Sequence, residues 1–230
     1  MTTRAAEVLG EVDAIASEDT RRTRKLLSHL GIRKPTIACH EHNEERAERE
    51  VLRRLEAGED VALVSDAGTP LVSDPGYRLV VSCVRDGRTV VPLPGACAPI
   101  AALSASGLPP VPFYFHGFLP RRSGARRRAL EELAAHRSTL IFFESPRRLA
   151  GALGDMLEVL GDREAVVARE LTKLHEEFVR GSLGSLVEEF GNREPRGEVV
   201  VLVAGVDGGG GRPGRPDADV QRGPVVPGSY

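Results

Sequence analysis

The chain has 230 residues and a formal net charge of -2, with 41% hydrophobic and 28% charged residues. These values exclude a polyelectrolyte and leave room for one large or two small globular domains. Aromatics are only 4% and Trp is absent, so the core rests on Leu, Val and Ala. Any nucleic-acid contact must come from a local basic patch.

Thr3 to Val12 has a helical apolar pattern, and Asp13 to Ala16 is a short strand ending at Ser17-Glu18-Asp19-Thr20. Asp19 or Thr20 caps the next helix, which stops at Gly31. Thr36 to Cys39 is a strand followed by His40-Glu-His42-Asn43. The two histidines share no helix face and have no third ligand cluster, so no metal is expected. Asn43 is placed to cap a helix from Glu44 to Ala57.

Val61 to Val64 is a short apolar run of the kind found in strands buried on both faces of a parallel sheet. It stops at Ser65-Asp66-Ala67-Gly68-Thr69-Pro70, small residues that let the backbone approach a ligand. Asp74 and Pro75 read as the N-cap and first residue of the next helix. Strand, small-residue loop and helix is the pattern that places ligands outside the carboxyl ends of an α/β sheet. It is equally the pattern of a plain connecting turn. After the helix Tyr77 to Arg85, Thr89 to Leu93 reads as another strand. Pro94-Gly95-Ala96-Cys97-Ala98 is a second small-residue loop, and an Ala-rich helix runs from Pro99 to Ser106.

Four strand-helix alternations predict a parallel α/β domain over residues 1–109. Leu108-Pro-Pro-Val-Pro112 breaks the pattern and marks a linker. Residues 113–206 alternate differently, with strands at Phe113 to Phe115, Thr139 to Phe143, Ala165 to Ala168, Glu177 to Arg180 and Glu198 to Ala204, so a mixed-sheet α+β domain is expected. Residues 207–230 are rich in Gly, Pro and Arg without apolar periodicity, and disorder is expected there. Arg121, Arg122, Arg126, Arg127 and Arg128 crowd the helix opening near Pro120. Arg suits bidentate phosphate contact, and the cluster reads as a nucleic-acid patch in a near-neutral chain. Arg21, with Arg22, Arg24 and Lys25, reads as a solvated basic face or a phosphate surface. Cys39, Cys83 and Cys97 show neither CxxC nor metal spacing and read as reduced thiols of a cytoplasmic protein. No signal peptide and no bilayer-length apolar run is visible.

Eight motifs stand in order: Ala16-Ser-Glu-Asp-Thr-Arg21, His40-Glu-His-Asn-Glu44, Ser65-Asp-Ala-Gly-Thr-Pro70, Asp74-Pro-Gly76, Pro94-Gly95 with Cys97-Ala98, Gly117-Phe-Leu-Pro120, Phe143-Glu-Ser145 and Arg169-Glu-Leu-Thr-Lys173. With these the chain resembles the ribosomal RNA small subunit methyltransferase I family of the tetrapyrrole methylase superfamily, over roughly Thr3 to Val206. The resemblance implies a two-domain tetrapyrrole methylase-like fold, S-adenosylmethionine as methyl donor, and a homodimer. It implies 2'-O-methylation of a cytidine ribose in small-subunit rRNA near the decoding centre. It also implies donor binding in the cleft between domains by Ser65, Asp66, Ala67, Gly68, Thr69 and Pro70 and by Pro94, Gly95, Ala96 and Cys97.

A protonated ribose hydroxyl is a poor nucleophile, so a general base would help. Glu18, Asp19, His40 or His42, and Glu170 with Lys173 are the candidates, unranked. Each has an ordinary role open to it as a cap or an ion-pair partner. Two departures stand out. The family's first strand and its Thr-Pro-Ile-Gly-Asn type turn have no counterpart after Met1, so an N-terminal sheet with an exposed, aggregation-prone edge is expected. Arg147 stands where the family has His. A precorrin methylase of the same superfamily and a catalytically silent RNA-binding module are the alternatives. The arginine cluster and Glu18-Asp19-Thr20-Arg21 speak against the first.

Overall fold

The protein is described from a computed structural model, which covers residues 1–193 and 195–206 and the backbone of residues 221 and 222. Apart from those two, residues 207–230, for which disorder is expected, lie outside the described residues. The fold is α/β and falls into two compact units, Met1–Cys97 and Ala98–Tyr230.

The first unit holds α1 (Thr3–Glu11), β1 (Ala14–Ser17), α2 (Thr20–His29), β2 (Thr36–Ala38), α3 (Glu44–Glu56), β3 (Val61–Val64) and α4 (Tyr77–Arg85). The three strands form a parallel sheet in the order β2-β1-β3. β1 is the central strand and is buried throughout. β3 is half-buried rather than covered on both faces, because it stands at the edge of this sheet. One core joins Ala16, Cys39, Ala47, Val51, Leu79 and Cys83. Another joins Leu9, Val12, Ile15 and Leu27.

Three local expectations change. Thr89 to Leu93 forms no strand. Val90 and Val91 are 44% and 59% exposed, and Pro92 has no N–H to donate to a ladder. The helix expected from Pro75 starts at Tyr77, with Gly76 as its left-handed N-cap. Asn43 precedes α3 but does not cap it through its side chain. Its side-chain oxygen accepts from the His40 N–H at 2.8 Å, and its amide donates to the Ala38 carbonyl at 2.9 Å. The residue therefore closes the loop after β2.

The second unit holds α5 (Ala98–Ser106), β4 (Phe113–Phe118), α6 (Ser123–Leu133), β5 (Thr139–Glu144), α7 (Leu149–Leu160), β6 (Glu164–Arg169), β7 (Glu177–Ser182), α8 (Leu183–Gly191) and β8 (Val199–Val203), with the short β9 (Gln221–Arg222). The sheet is mixed, ordered β4-β5-β8-β6-β7-β9. β4 and β5 pair parallel, and the pairs β5/β8, β8/β6 and β6/β7 are antiparallel. Alternate residues of its strands face two cores. Leu140, Phe142, Val167, Val179 and Val201 meet Leu130, Leu153, Leu186 and Phe190 from α6, α7 and α8. Ile141, Val166, Ala168, Val200 and Leu202 meet Ala102 and Leu103 of α5. The units therefore part at Cys97 and Ala98, ahead of the proline-rich break at Leu108 to Pro112.

Candidate functional site

In the first unit the chemistry-bearing motifs collect beyond the carboxyl ends of β1, β2 and β3. β1 and β3 run parallel, with Ser17 opposite Val64, so Glu18-Asp19 and Ser65-Asp66 leave the sheet side by side. The Asp19 N–H donates to Asp66 Oδ1 at 3.1 Å, and Arg22 Nη1 pairs with Asp66 Oδ2 at 3.3 Å. Asp66 is thereby fixed between the two strand ends. Ser17 is fully buried at the end of β1, and its Oγ has no hydrogen-bond partner among the described residues. A buried hydroxyl without a partner costs about 1–3 kcal/mol.

The loop after β3 is held in a conformation its residues do not favour. Gly68 has φ +77, and Leu71 and Ser73, which are not glycines, have φ +72 and +66. Left-handed backbone at non-glycine residues costs about 1–2 kcal/mol each, and such strain concentrates at ligand sites. The loop is clamped at both ends. Thr69 Oγ1 donates to the Ala96 carbonyl at 2.9 Å, which joins the Ser65 to Pro70 loop to the Pro94 to Cys97 loop. Glu44 Oε1 accepts from the Gly76 N–H at 2.8 Å. Gly76 takes φ +116, and a Cβ there would stand 2.7 Å from Leu63 Cδ2, so any other residue would strain the backbone and displace Leu63 where the chain re-enters the core.

These residues fit a bulky donor such as S-adenosylmethionine. Ala67 and Gly68 are exposed, as are Pro94, Gly95 and Ala96, and they present small side chains or backbone around a polar strand end. Leu71, Ser73 and the Asp66–Arg22 pair carried no sequence signal. Neither Leu nor Ser is the residue expected at positive φ, and a pair spanning two loops leaves no local pattern.

The candidate bases differ sharply. Asp19 accepts from the Arg21 N–H and from the Arg21 guanidinium, at 2.9 Å for Oδ2. Those contacts hold its carboxyl at about 2, so it is a helix cap and a poor proton acceptor. Glu18 is half-buried at the same strand end, and His42 is exposed with its ring 6.1 Å from that of His40. Glu170 belongs to the second unit. It has φ +51, accepts from Lys173 Nζ at 2.9 Å and from the Glu198 N–H at 3.0 Å, and its carboxyl is held below the usual range first by Lys173. It anchors a strained loop in which Thr172 also has φ +64. Among the described residues no three His, Cys, Asp or Glu side chains gather as a metal site requires.

The arginine cluster in the second unit divides. Arg126 is buried: its guanidinium pairs with Asp155 at 2.6 Å and donates to the carbonyls of Arg121 and Gly151. It is therefore a core ion pair and not a phosphate contact. Arg127 is half-exposed and committed to Asp155 and Glu158. Arg121, Arg122 and Arg147 are exposed, and among the described residues no carboxylate pairs with them. Arg21 is exposed but paired with Asp19.

Residues 1–187 match the Tetrapyrrole (Corrin/Porphyrin) Methylases family. A ribosomal RNA small subunit methyltransferase I from Mesorhizobium japonicum is 50% identical over 224 residues, covering 96% of this chain and 75% of the relative. The Vibrio cholerae protein of the same name is 53% identical over 209 residues, 89% of this chain and 72% of its own. Among solved structures, the uroporphyrin-III C-methyl transferase from Thermus thermophilus, complexed with S-adenyl homocysteine, superposes with a TM-score of 0.61 at 22% identity. That match covers 90% of this chain and 92% of the other. The chain belongs to the tetrapyrrole methylases, in the branch of the ribosomal RNA small subunit methyltransferases I.

Proposed function

We propose that the protein transfers a methyl group from S-adenosylmethionine to the 2'-hydroxyl of a cytidine in small-subunit rRNA near the decoding centre. It acts in the cytoplasm, as a homodimer, on the RNA or the assembled subunit. The observation that carries the reading is the joined pair of loops beyond β1 and β3, in a chain about half identical to relatives named for that RNA. The sulfonium donor supplies an already activated methyl group. What remains for the protein is to hold the ribose oxygen in line and take its proton.

Ser65 to Pro70 and Pro94 to Cys97 hold the donor. The Asp66–Arg22 pair keeps the strand ends in register. Glu18 and His42 are the proton acceptors of choice in the first unit, since Asp19 is tied to Arg21. Arg121 and Arg122, with the exposed Arg128, contact RNA phosphates, while Arg126 shapes the helix that presents them. The test is transfer of labelled methyl from S-adenosylmethionine to small ribosomal subunits, with purified precorrin offered in parallel. Label in the subunit RNA supports the reading, and label in precorrin alone rejects it.

A further inference from the structure

β4 is an edge strand of the second sheet, and it is not regular. Its pairing with β5 runs Phe115 to Ile141 and then jumps to Gly117 with Phe142 and Phe118 with Phe143. The extra residue is His116, and Gly117 takes φ +81. In a regular strand, residues three apart point to opposite faces. Here both Phe115 and Phe118 reach the same ring. The Phe115 and Phe143 centroids are 5.0 Å apart, and those of Phe118 and Phe143 are 5.4 Å apart. Bulges at sheet edges re-aim side chains in this way. The outcome is a Phe118 ring 54% exposed to solvent, braced from beneath by Phe143.

Exposed basic groups follow both strand ends in the chain. Chain leaves β4 into Arg121 and Arg122, and it leaves β5 into the turn Pro146–Arg148 carrying Arg147. All three arginines are exposed. The acid at the end of β5, Glu144, is buried, and its Oε1 pairs with Arg148 at 2.5 Å and accepts from the Ser145 N–H at 2.7 Å. Arg148 also donates to the Leu119 carbonyl at 3.4 Å, which ties the two strand ends together. An exposed aromatic face beside unpaired guanidinium groups is the arrangement that takes a base on the ring and its phosphates on the arginines.

We propose that Phe118, braced by Phe143, is a stacking platform for an unpaired base of the RNA substrate, with Arg121, Arg122 and Arg147 holding the adjoining phosphates. This rests on the rRNA reading above and adds the residue that grips a splayed nucleotide. Base stacking is sequence-tolerant, so the platform recognises a looped strand rather than a duplex.

The experiment compares wild type with Phe118→Ala, Phe118→Trp and the pair Arg121→Ala/Arg122→Ala. Binding to single-stranded and duplex RNA is measured across salt concentrations, and donor binding is measured with S-adenosylhomocysteine. Phe118 is more than half exposed, so its removal leaves thermal unfolding nearly unchanged. Phe118→Ala should lose about tenfold or more in affinity for single-stranded RNA. Its salt slope and donor affinity should stay at wild-type values, and Phe118→Trp should restore binding. The arginine pair should instead flatten the salt slope by about one unit for each phosphate that no longer meets a guanidinium. Wild-type RNA affinity in Phe118→Ala overturns the platform while leaving the rRNA reading in place. So does a loss confined to the donor, which would assign the ring to the cofactor. A wild-type protein that binds no RNA sinks both.

Discussion

Thr69 and Ala96 belong to different loops, yet the Thr69 hydroxyl donates to the Ala96 carbonyl at 2.9 Å. This bond turns two separate small-residue stretches into one surface beyond the carboxyl ends of the strands. Asp66 does the corresponding work between β1 and β3. Asp66→Ala removes both of its bonds, and Gly68→Val forces a β-branched residue to φ +77. Each should weaken S-adenosylhomocysteine binding by tenfold or more in calorimetry. Circular dichroism should show the second unit still folded. Unchanged donor affinity in both variants would remove this loop from the site.

Ser73 is exposed and left-handed at φ +66, so its strain has no packing to justify it. Ser73→Gly should stabilise the first unit by about 1 kcal/mol, and Ser73→Val should destabilise it by at least as much. Thermal unfolding measures both. If the strain serves to hold the loop ready for its ligand, Ser73→Gly also binds the donor more weakly despite melting higher.

Asp19 is held at about 2, below the ordinary 3.8, first by the Arg21 side chain. A depressed carboxyl stabilises the folded state above its unfolded value and loses that contribution as pH falls from about 4 towards 2. Asp19→Asn should therefore flatten the stability profile of the protein in that window. It should leave the pH dependence of methyl transfer between about pH 5 and 9 unchanged, because a carboxyl held this low is already ionised throughout that range. Disappearance of an acid limb from the rate profile would make Asp19 the base after all.

The five arginines near Pro120 lie close together in the chain but have different roles in the fold. Their presence there is plain in the sequence. That Arg126 turns inward depends on Asp155, a helix away, and no spacing within the cluster reveals it. Arg126→Ala should leave the buried Asp155 with only Arg127 and Ser123 as partners, at a cost of about 1–3 kcal/mol. It should lower the melting temperature while leaving the salt slope of RNA binding intact, and Arg121→Ala should do the reverse. Thr139–Glu144 is legible because its apolar run reports burial, whereas Val61–Val64 is legible as a strand although it lies half-buried at a sheet edge. Thr89 to Leu93 has a similar apolar look yet forms no strand, with Val90 and Val91 exposed, which composition does not record. The left-handed Leu71 and the bulge at His116 and Gly117 were equally hidden, since both are set by contacts made across the fold.

The proposed activity is defined by the atom that receives the methyl group. Small ribosomal subunits from cells lacking the activity are incubated with the protein and labelled S-adenosylmethionine, and the RNA is digested to nucleosides for mass spectrometry. A single new 2'-O-methylcytidine in the small-subunit RNA is the predicted result. Label on a base, on another ribose, or on no RNA would contradict it.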